Sequence, residues 1–220
     1  MPYYRRRKTY RRRRSRQPWY RKKYNAAQLA YKAYKGVRYI KGLVNSEMFH
    51  DGVNNSAAYS WSGALQHITA ISQDDTVSGR TGNSVLLRQM WIKWTASINS
   101  SATNTLVRVM IICDKQQVGD TSPSASTVLD QTGTIQAPFG NLAVASVGRF
   151  KVLYSKVVNL NQDRPTTMQS HYFNMRTHVR YNGTADTDIQ KNGHYVLIIS
   201  NEETNTPTIQ HNIRIGYHDN

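Results

Sequence analysis

The sequence predicts an all-β body, an antiparallel sandwich of about eight strands, behind a basic N-terminal arm that is partly helical. Three observations carry that prediction. Hydrophobic residues beyond residue 63 recur with a period of two, the repeat of a strand with one buried face. The segments between these runs are rich in Gly, Ser, Asn, Asp and Pro, and helical periodicity is absent from the body. The charge is also segregated. Of 29 Lys and Arg residues, 16 lie within residues 1–41, where there is no Asp or Glu; residues 42–220 hold the remaining 13 bases and all 13 acids. The formal charge of +16 therefore belongs to the leading fifth of the chain, and the rest is neutral.

The elements follow in order. Residues 1–24, MPYYRRRKTYRRRRSRQPWYRKKY, contain twelve Arg or Lys. Like charges at that density repel and leave little apolar surface to bury, so the free segment is expected to be disordered. Tyr3, Tyr4, Tyr10, Trp19, Tyr20 and Tyr24 sit between the basic blocks, which a purely electrostatic tail does not require. Residues 25–44 predict a helix. Asn25 is a suitable N-cap, and the Ala-rich stretch after it has good helix propensity. Leu29, Ala33, Val37, Ile40 and Val44 recur every three or four residues, while Lys32, Lys35, Arg38 and Lys41 run along another side. Gly36 weakens the middle by up to about 1 kcal/mol. The expectation is a marginal basic amphipathic helix that firms up on binding. Residues 45–63 are rich in Asn, Ser and Gly, with turn signals at Asp51-Gly52 and Ser62-Gly63, and read as a linker.

Residues 64–220 form the predicted sandwich. Met90, Ile92, Trp94, Ala96 and Ile98 alternate with polar or amphipathic neighbours, a long strand with one buried face. Leu106 to Cys113 is nearly continuous apolar, which suits a central, well-buried strand. Further strands are expected at 150–160, 173–181, 195–199 and 209–217, with weaker candidates at Leu65–Ile71 and Thr127–Gln131. Eight strands with several long connections suggest two Greek keys, a single antiparallel jelly roll.

The composition also excludes function classes. One cysteine rules out a disulfide framework within the chain and any multi-cysteine zinc site. No apolar run approaches the roughly 18 residues needed to span a bilayer, so no membrane insertion is expected. The charged start has no apolar stretch behind it and does not resemble a secretory signal. The body holds no P-loop, His-Glu-x-x-His, Gly-x-Ser-x-Gly or Cys-x-x-Cys, and its seven His are scattered one per element. No catalytic residue and no cofactor is expected. Asp74-Asp75 and Asp186-x-Asp188 are local pairs of aspartates; such pairs ligate Ca²⁺ in some loops, but ordinary turn formation accounts for them here and no metal is assigned.

The arm carries the chemistry. Single-stranded nucleic acid offers one phosphate charge per nucleotide and exposed base faces, so a binder without sequence preference needs cations and aromatics together. The candidate nucleic-acid-binding residues are Arg5, Arg6, Arg7, Lys8, Arg11, Arg12, Arg13, Arg14, Arg16, Trp19, Tyr20, Arg21, Lys22, Lys23, Lys32, Lys35, Arg38 and Lys41. Guanidinium binds phosphate bidentately and stacks on bases, and released counterions make such binding steeply salt-dependent. The same Arg-rich run reads as a nuclear localisation signal, which would make nuclear import receptors a second class of partner. A membrane-surface anchor at 25–44 is the weaker reading, because Tyr seeks membranes less than Leu or Phe.

The arm MPYYRRRKTYRRRRSR resembles the Arg-rich N-termini of capsid proteins from small circular single-stranded DNA viruses. The body resembles coat proteins of the satellite tobacco necrosis virus kind. The similar stretches are Asp74-Asp75 with Ser78-Gly79-Arg80-Thr81-Gly82, Arg108 to Asp114, Arg149-Phe150-Lys151-Val152-Leu153 and Gly193 to Ile199, whose joint order and spacing agree across most of residues 65–200. The resemblance implies a single jelly roll, a T=1 shell of sixty copies with arms pointing inward, no enzymatic activity, and a location in the virion and the host nucleus. It leaves the host receptor unnamed. Satellite-virus coats bind Ca²⁺ at subunit contacts, but no residue of this chain is assigned as such a ligand. The leading expectation is a coat protein packaging circular single-stranded DNA. The alternatives are a satellite-virus-like coat packaging single-stranded RNA and a cellular nucleic-acid-binding protein whose β-domain binds a partner.

Overall fold

The computed structural model describes residues 25–44, 47–119 and 121–219, in two units, 1–44 and 45–220. The arm predicted over 1–24 lies outside the described residues. The predicted helix is present as α1 (Ala26–Val44). Asn25 caps it: its side-chain oxygen accepts from the Gln28 amide at 2.8 Å, and its carbonyl accepts from Leu29 at 3.1 Å.

The second unit is a jelly roll of nine strands: β1 (Glu47–Ala58), β2 (Ala64–His67), β3 (Ser84–Ser97), β4 (Asn104–Asp114), β5 (Phe150–Asn161), β6 (Thr166–Tyr181), β7 (Ile189–Lys191), β8 (Gly193–Ser200) and β9 (Thr208–Asp219). The pairing is nested. β1 pairs with β9, β2 with β8, β3 with β6 and β4 with β5, all antiparallel. Successive pairs fall in alternate sheets, giving a five-stranded sheet ordered β1-β9-β3-β6-β7 and a four-stranded sheet ordered β2-β8-β4-β5. A long hairpin rolled around a core produces this order, and it is the two-Greek-key arrangement.

Two expectations are corrected at this level. The linker predicted over 45–63 contains β1, so the shell domain begins near residue 45 rather than at 64. Asn54, Asn55 and Ser56 gave that stretch a loop composition, but they belong to an edge strand whose outward side chains are solvated. Its inward Met48, Val53 and Ala57 pack on the core, and the ladder to β9 runs from Glu47–His218 to Ala58–Thr208. The register shifts between Asp51 and Val53, at Gly52, where a Cβ would lie 2.3 Å from the Ile68 carbonyl oxygen. The weak strand candidate at Thr127–Gln131 instead contains the end of a one-turn helix, α2 (Ala125–Val128), and a single bridge from Leu129 to Leu142. Ser124 decides this locally, since its hydroxyl accepts from the Thr127 amide at 3.2 Å. The ninth strand, β7, has three residues and gave no periodic signal.

The body has two apolar layers. The main core lies between the sheets and includes Ile92, Trp94, Val109, Ile111, Val196, Ile198, Ile213 and Ile215. Each such side chain contributes about 1.5–3 kcal/mol on burial. A second layer covers the far side of the four-stranded sheet. There Met110, Ile112, Tyr195, Leu197 and Ile199 pack under Ala125, Val128, Leu129 and Ala137 from the long β4–β5 connection. β8 is consequently buried along its whole length, whereas β9 alternates over most of its length.

Candidate nucleic-acid interface

The sequence-predicted site divides into two parts. Arg5, Arg6, Arg7, Lys8, Arg11, Arg12, Arg13, Arg14, Arg16, Trp19, Tyr20, Arg21, Lys22 and Lys23 lie outside the described residues. Lys32, Lys35 and Arg38 are exposed on α1, and Lys41 belongs to the same helix. Tyr31, Tyr34 and Tyr39 are exposed among them, at 59%, 61% and 69%. At 3.6 residues per turn these tyrosines share a half-cylinder with the cations, opposite Leu29, Ala33, Val37 and Ile40. Lys35 Nζ lies 5.0 Å from the Tyr31 ring centroid. The helix therefore presents cations and π-faces on one side, without an acidic residue anywhere along it.

The arginines in the stretches that carry the family resemblance do other work. Arg80 is fully buried. Its guanidinium donates to the carbonyls of Ile71 (2.9 Å), Gly82 (2.8 Å) and Gly183, and lies 3.9 Å from the Tyr181 ring centroid. It ties the 71–83 loop to the 182–188 loop through carbonyl dipoles and a π-face, with the charges of Asp188 and Asp219 nearby. Arg149 donates to both oxygens of the fully buried Asp114, at 2.9 and 2.6 Å, and that pairing holds its guanidinium above the usual arginine range. Arg108 donates to Ser155 Oγ at 3.0 Å and to the Pro138 and Gly140 carbonyls. These three are fasteners of loops. Sequence reasoning did not identify them, because an Arg that binds carbonyls has the same letter as one that binds phosphate.

The groups weighed for catalysis or metal binding have structural surroundings. Asp74 accepts from the Thr76 amide and from Ser72 and Thr76 hydroxyls, and Asp188 accepts from the Ala185 amide at 3.0 Å; both acidic pairs serve turns. Cys113 is buried, and desolvation pushes its thiol up to about 11. Burial pushes His194 and His211 down to about 4, and His67, stacked on Tyr195 at 4.7 Å, down to about 3. Among the described residues no group of three His, Cys, Asp or Glu could hold a metal ion, and no described helix is long and apolar enough to cross a membrane.

No family model matches the chain. Two solved capsid structures show a thin likeness. The infectious bursal disease virus VP2 subviral particle is 9% identical, covering 80% of this chain and 41% of that one, with a TM-score of 0.15. A VP2 mutant of the same virus in derived T=1 particles is 6% identical, covering 79% and 39%, with a TM-score of 0.14. The chain spans about two fifths of the length of those proteins, and neither adds to the fold described above. The sequence match is more informative. The coat protein of Maize white line mosaic satellite virus is 25% identical over 157 residues, 68% of this chain and 69% of that protein. The chain is thus related to a satellite-virus coat protein, a structural protein and not an enzyme.

Proposed function

We propose that this chain is a satellite-virus-like coat protein that closes into a T=1 shell of sixty copies and packages single-stranded nucleic acid through its basic arm. The observation that carries the reading is the combination of a jelly-roll body with 16 uncompensated positive charges in residues 1–41. Sixty such arms supply about 960 positive charges, enough to neutralise roughly a thousand nucleotides. A neutral body suits a shell, since sixty packed subunits at +16 each would repel one another.

The relative favours single-stranded RNA as the packaged genome. The Arg-rich run at residues 5–16 favours circular single-stranded DNA as the second reading, by its resemblance to circular DNA virus arms, and with it a passage through the host nucleus. The decisive experiment is expression of the full chain, followed by electron microscopy and nuclease digestion of extracted particle contents. Closed particles whose contents are destroyed by ribonuclease support the leading reading, and deoxyribonuclease sensitivity supports the second. A chain beginning at Gly42 should assemble poorly or empty; packaging at native efficiency by that chain would defeat the role given to the arm.

A further inference from the structure

Among the described residues nothing covers the outer face of the five-stranded sheet, and its surface is unusual. Phe49, Trp91 and Tyr172 line up across it from β1, β3 and β6, with ring centroids 6.1 and 5.5 Å apart. Phe49 is 45% exposed and Tyr172 50%. Gly216 on the intervening β9 makes room for Gln89, which accepts from the Tyr172 hydroxyl: a Cβ at 216 would lie 2.6 Å from Gln89 Cγ. Beside the rings runs a groove. One cleft of about 510 Å³ is bounded by Phe49, Trp91, Lys93, Asn212 and Arg214. A second, of about 460 Å³, continues from Lys93 and Asn212 between Asn54, Ser56, Gln210 and Met168.

The charge of this sheet differs from that of the whole body. Its strands carry Arg88, Lys93, Arg176, Arg180, Lys191 and Arg214 against Glu47, Asp51 and Asp219. Arg214 is held to Asp51 at 2.6 and 2.9 Å, so the groove's mobile positive charge is chiefly that of the exposed Lys93. Most of the body's remaining acids are in loops, which is how a net-neutral unit acquires a basic sheet.

We propose that this groove is a second binding site for single-stranded nucleic acid, so that the body as well as the arm contacts the packaged strand. The inference rests on the coat-protein reading above. Three aromatic rings offer sequence-tolerant stacking, Lys93 offers a cation to a phosphate, and the Asn, Ser and Gln side chains offer donors and acceptors to sugars and base edges. A greasy subunit contact would not need a floor of amides and a lysine. The proposal fixes which side of the shell domain faces inward: the five-stranded sheet.

The test uses the full chain with a 20-nucleotide oligo(U) containing 4-thiouridine, irradiated at low salt and digested for mass spectrometry. Cross-links to peptides containing Trp91 or Tyr172, in addition to arm peptides, are expected. Trp91→Ala should weaken oligo(U) binding on the order of tenfold, and Trp91→Phe should restore most of the loss. Lys93→Gln should lower the slope of log affinity against log salt by about one, whereas Lys156→Gln on β5 should leave it unchanged. Cross-links confined to residues 1–44 would overturn this site and leave the packaging reading intact. Variants that bind normally but fail to form particles would make the face a subunit contact and overturn it equally. A full chain that binds no oligo(U) at all would sink both readings.

Discussion

The two sheets of the body meet their surroundings differently. The four-stranded sheet is covered on both faces along β8 and much of β4, by the main core on one side and by the β4–β5 connection on the other, while β5 at its edge keeps an exposed outer face. Among the described residues the five-stranded sheet is covered on one face only. Its outer surface carries aromatic rings, amides and cations. The difference is written into single strands. β8 is buried at all of its positions, as GHYVLIIS, whereas β9 alternates from Thr208 to Ile215 as TIQHNIRI. A sheet closed on both sides is a structural element; a sheet open on one side has residues to spend on binding.

The sharpest way to break this picture is a charge placed in the layer the sheets share. Ile198 is buried on the inner face of β8 and packs in the main core. Ile198→Asp should leave no folded body at 25 °C, because an unpaired buried carboxylate costs several kcal/mol beyond the lost burial, comparable with the whole stability of a domain. Circular dichroism on the soluble fraction measures this. A folded variant would show that the layer is not a core.

Much of this organisation was legible in the sequence. β3 announced itself through Met90, Ile92, Trp94 and Ala96, and β4 and β8 through unbroken apolar runs, because burial on one face or two leaves period two or no period at all. The helix and its Asn25 cap were legible for the same local reason. β1 was not, since an edge strand with Asn54, Asn55 and Ser56 facing water spells like a loop until β9 is placed beside it. The groove was also illegible. Phe49, Trp91 and Tyr172 are far apart in sequence, and only the register of β1 on β9, β9 on β3 and β3 on β6 brings them into one row. A net charge of zero over residues 42–220 concealed the basic sheet, because a sum over sequence does not know which residues share a face.

Acid should come next in effect, and it acts on groups packed around both sheets. His194 and His211 are held near 4 by burial, below their ordinary value of 6.5. A base with a lowered folded pKa binds fewer protons when folded than when unfolded, so its stabilisation is complete above pH 6.5 and is lost as pH falls toward 4. At pH 5 the two together should cost the body about 4 kcal/mol, a fall of roughly 10 °C in melting temperature relative to pH 7.5. His194→Gln and His211→Gln together should make that pH dependence shallower between 5 and 7, leaving the share of His67, which burial holds near 3. A profile that stays as steep would assign the acid sensitivity to other groups.

The outer cover of the four-stranded sheet can be weighed directly. Leu197 faces away from the main core and packs in the second layer with Met110, Val128 and Phe150. Leu197→Ala should cost about 2–4 kcal/mol in urea unfolding, nearly what a residue between the sheets costs. A loss under about 1 kcal/mol would mean the β4–β5 connection lies loosely on the sheet, and the contrast between the two sheets would be one of sequence alone.

The smallest expected effect completes the contrast. Trp91 on the open face touches Phe49 and Tyr172 but seals nothing, so Trp91→Ala should cost about 1 kcal/mol or less, the worth of cross-strand ring contacts on a solvated face. Lys93→Gln should leave the melting temperature within about 2 °C of the parent. Thermal unfolding of the full chain, at concentrations too low for assembly, measures both. A large aromatic that contributes little to stability is free to serve a ligand, and the oligo(U) measurements on the same variants test whether it does. A loss of 3 kcal/mol or more for Trp91→Ala would instead make the ring a structural member of the sheet, and the open face would lose its claim to be a surface left free for a ligand.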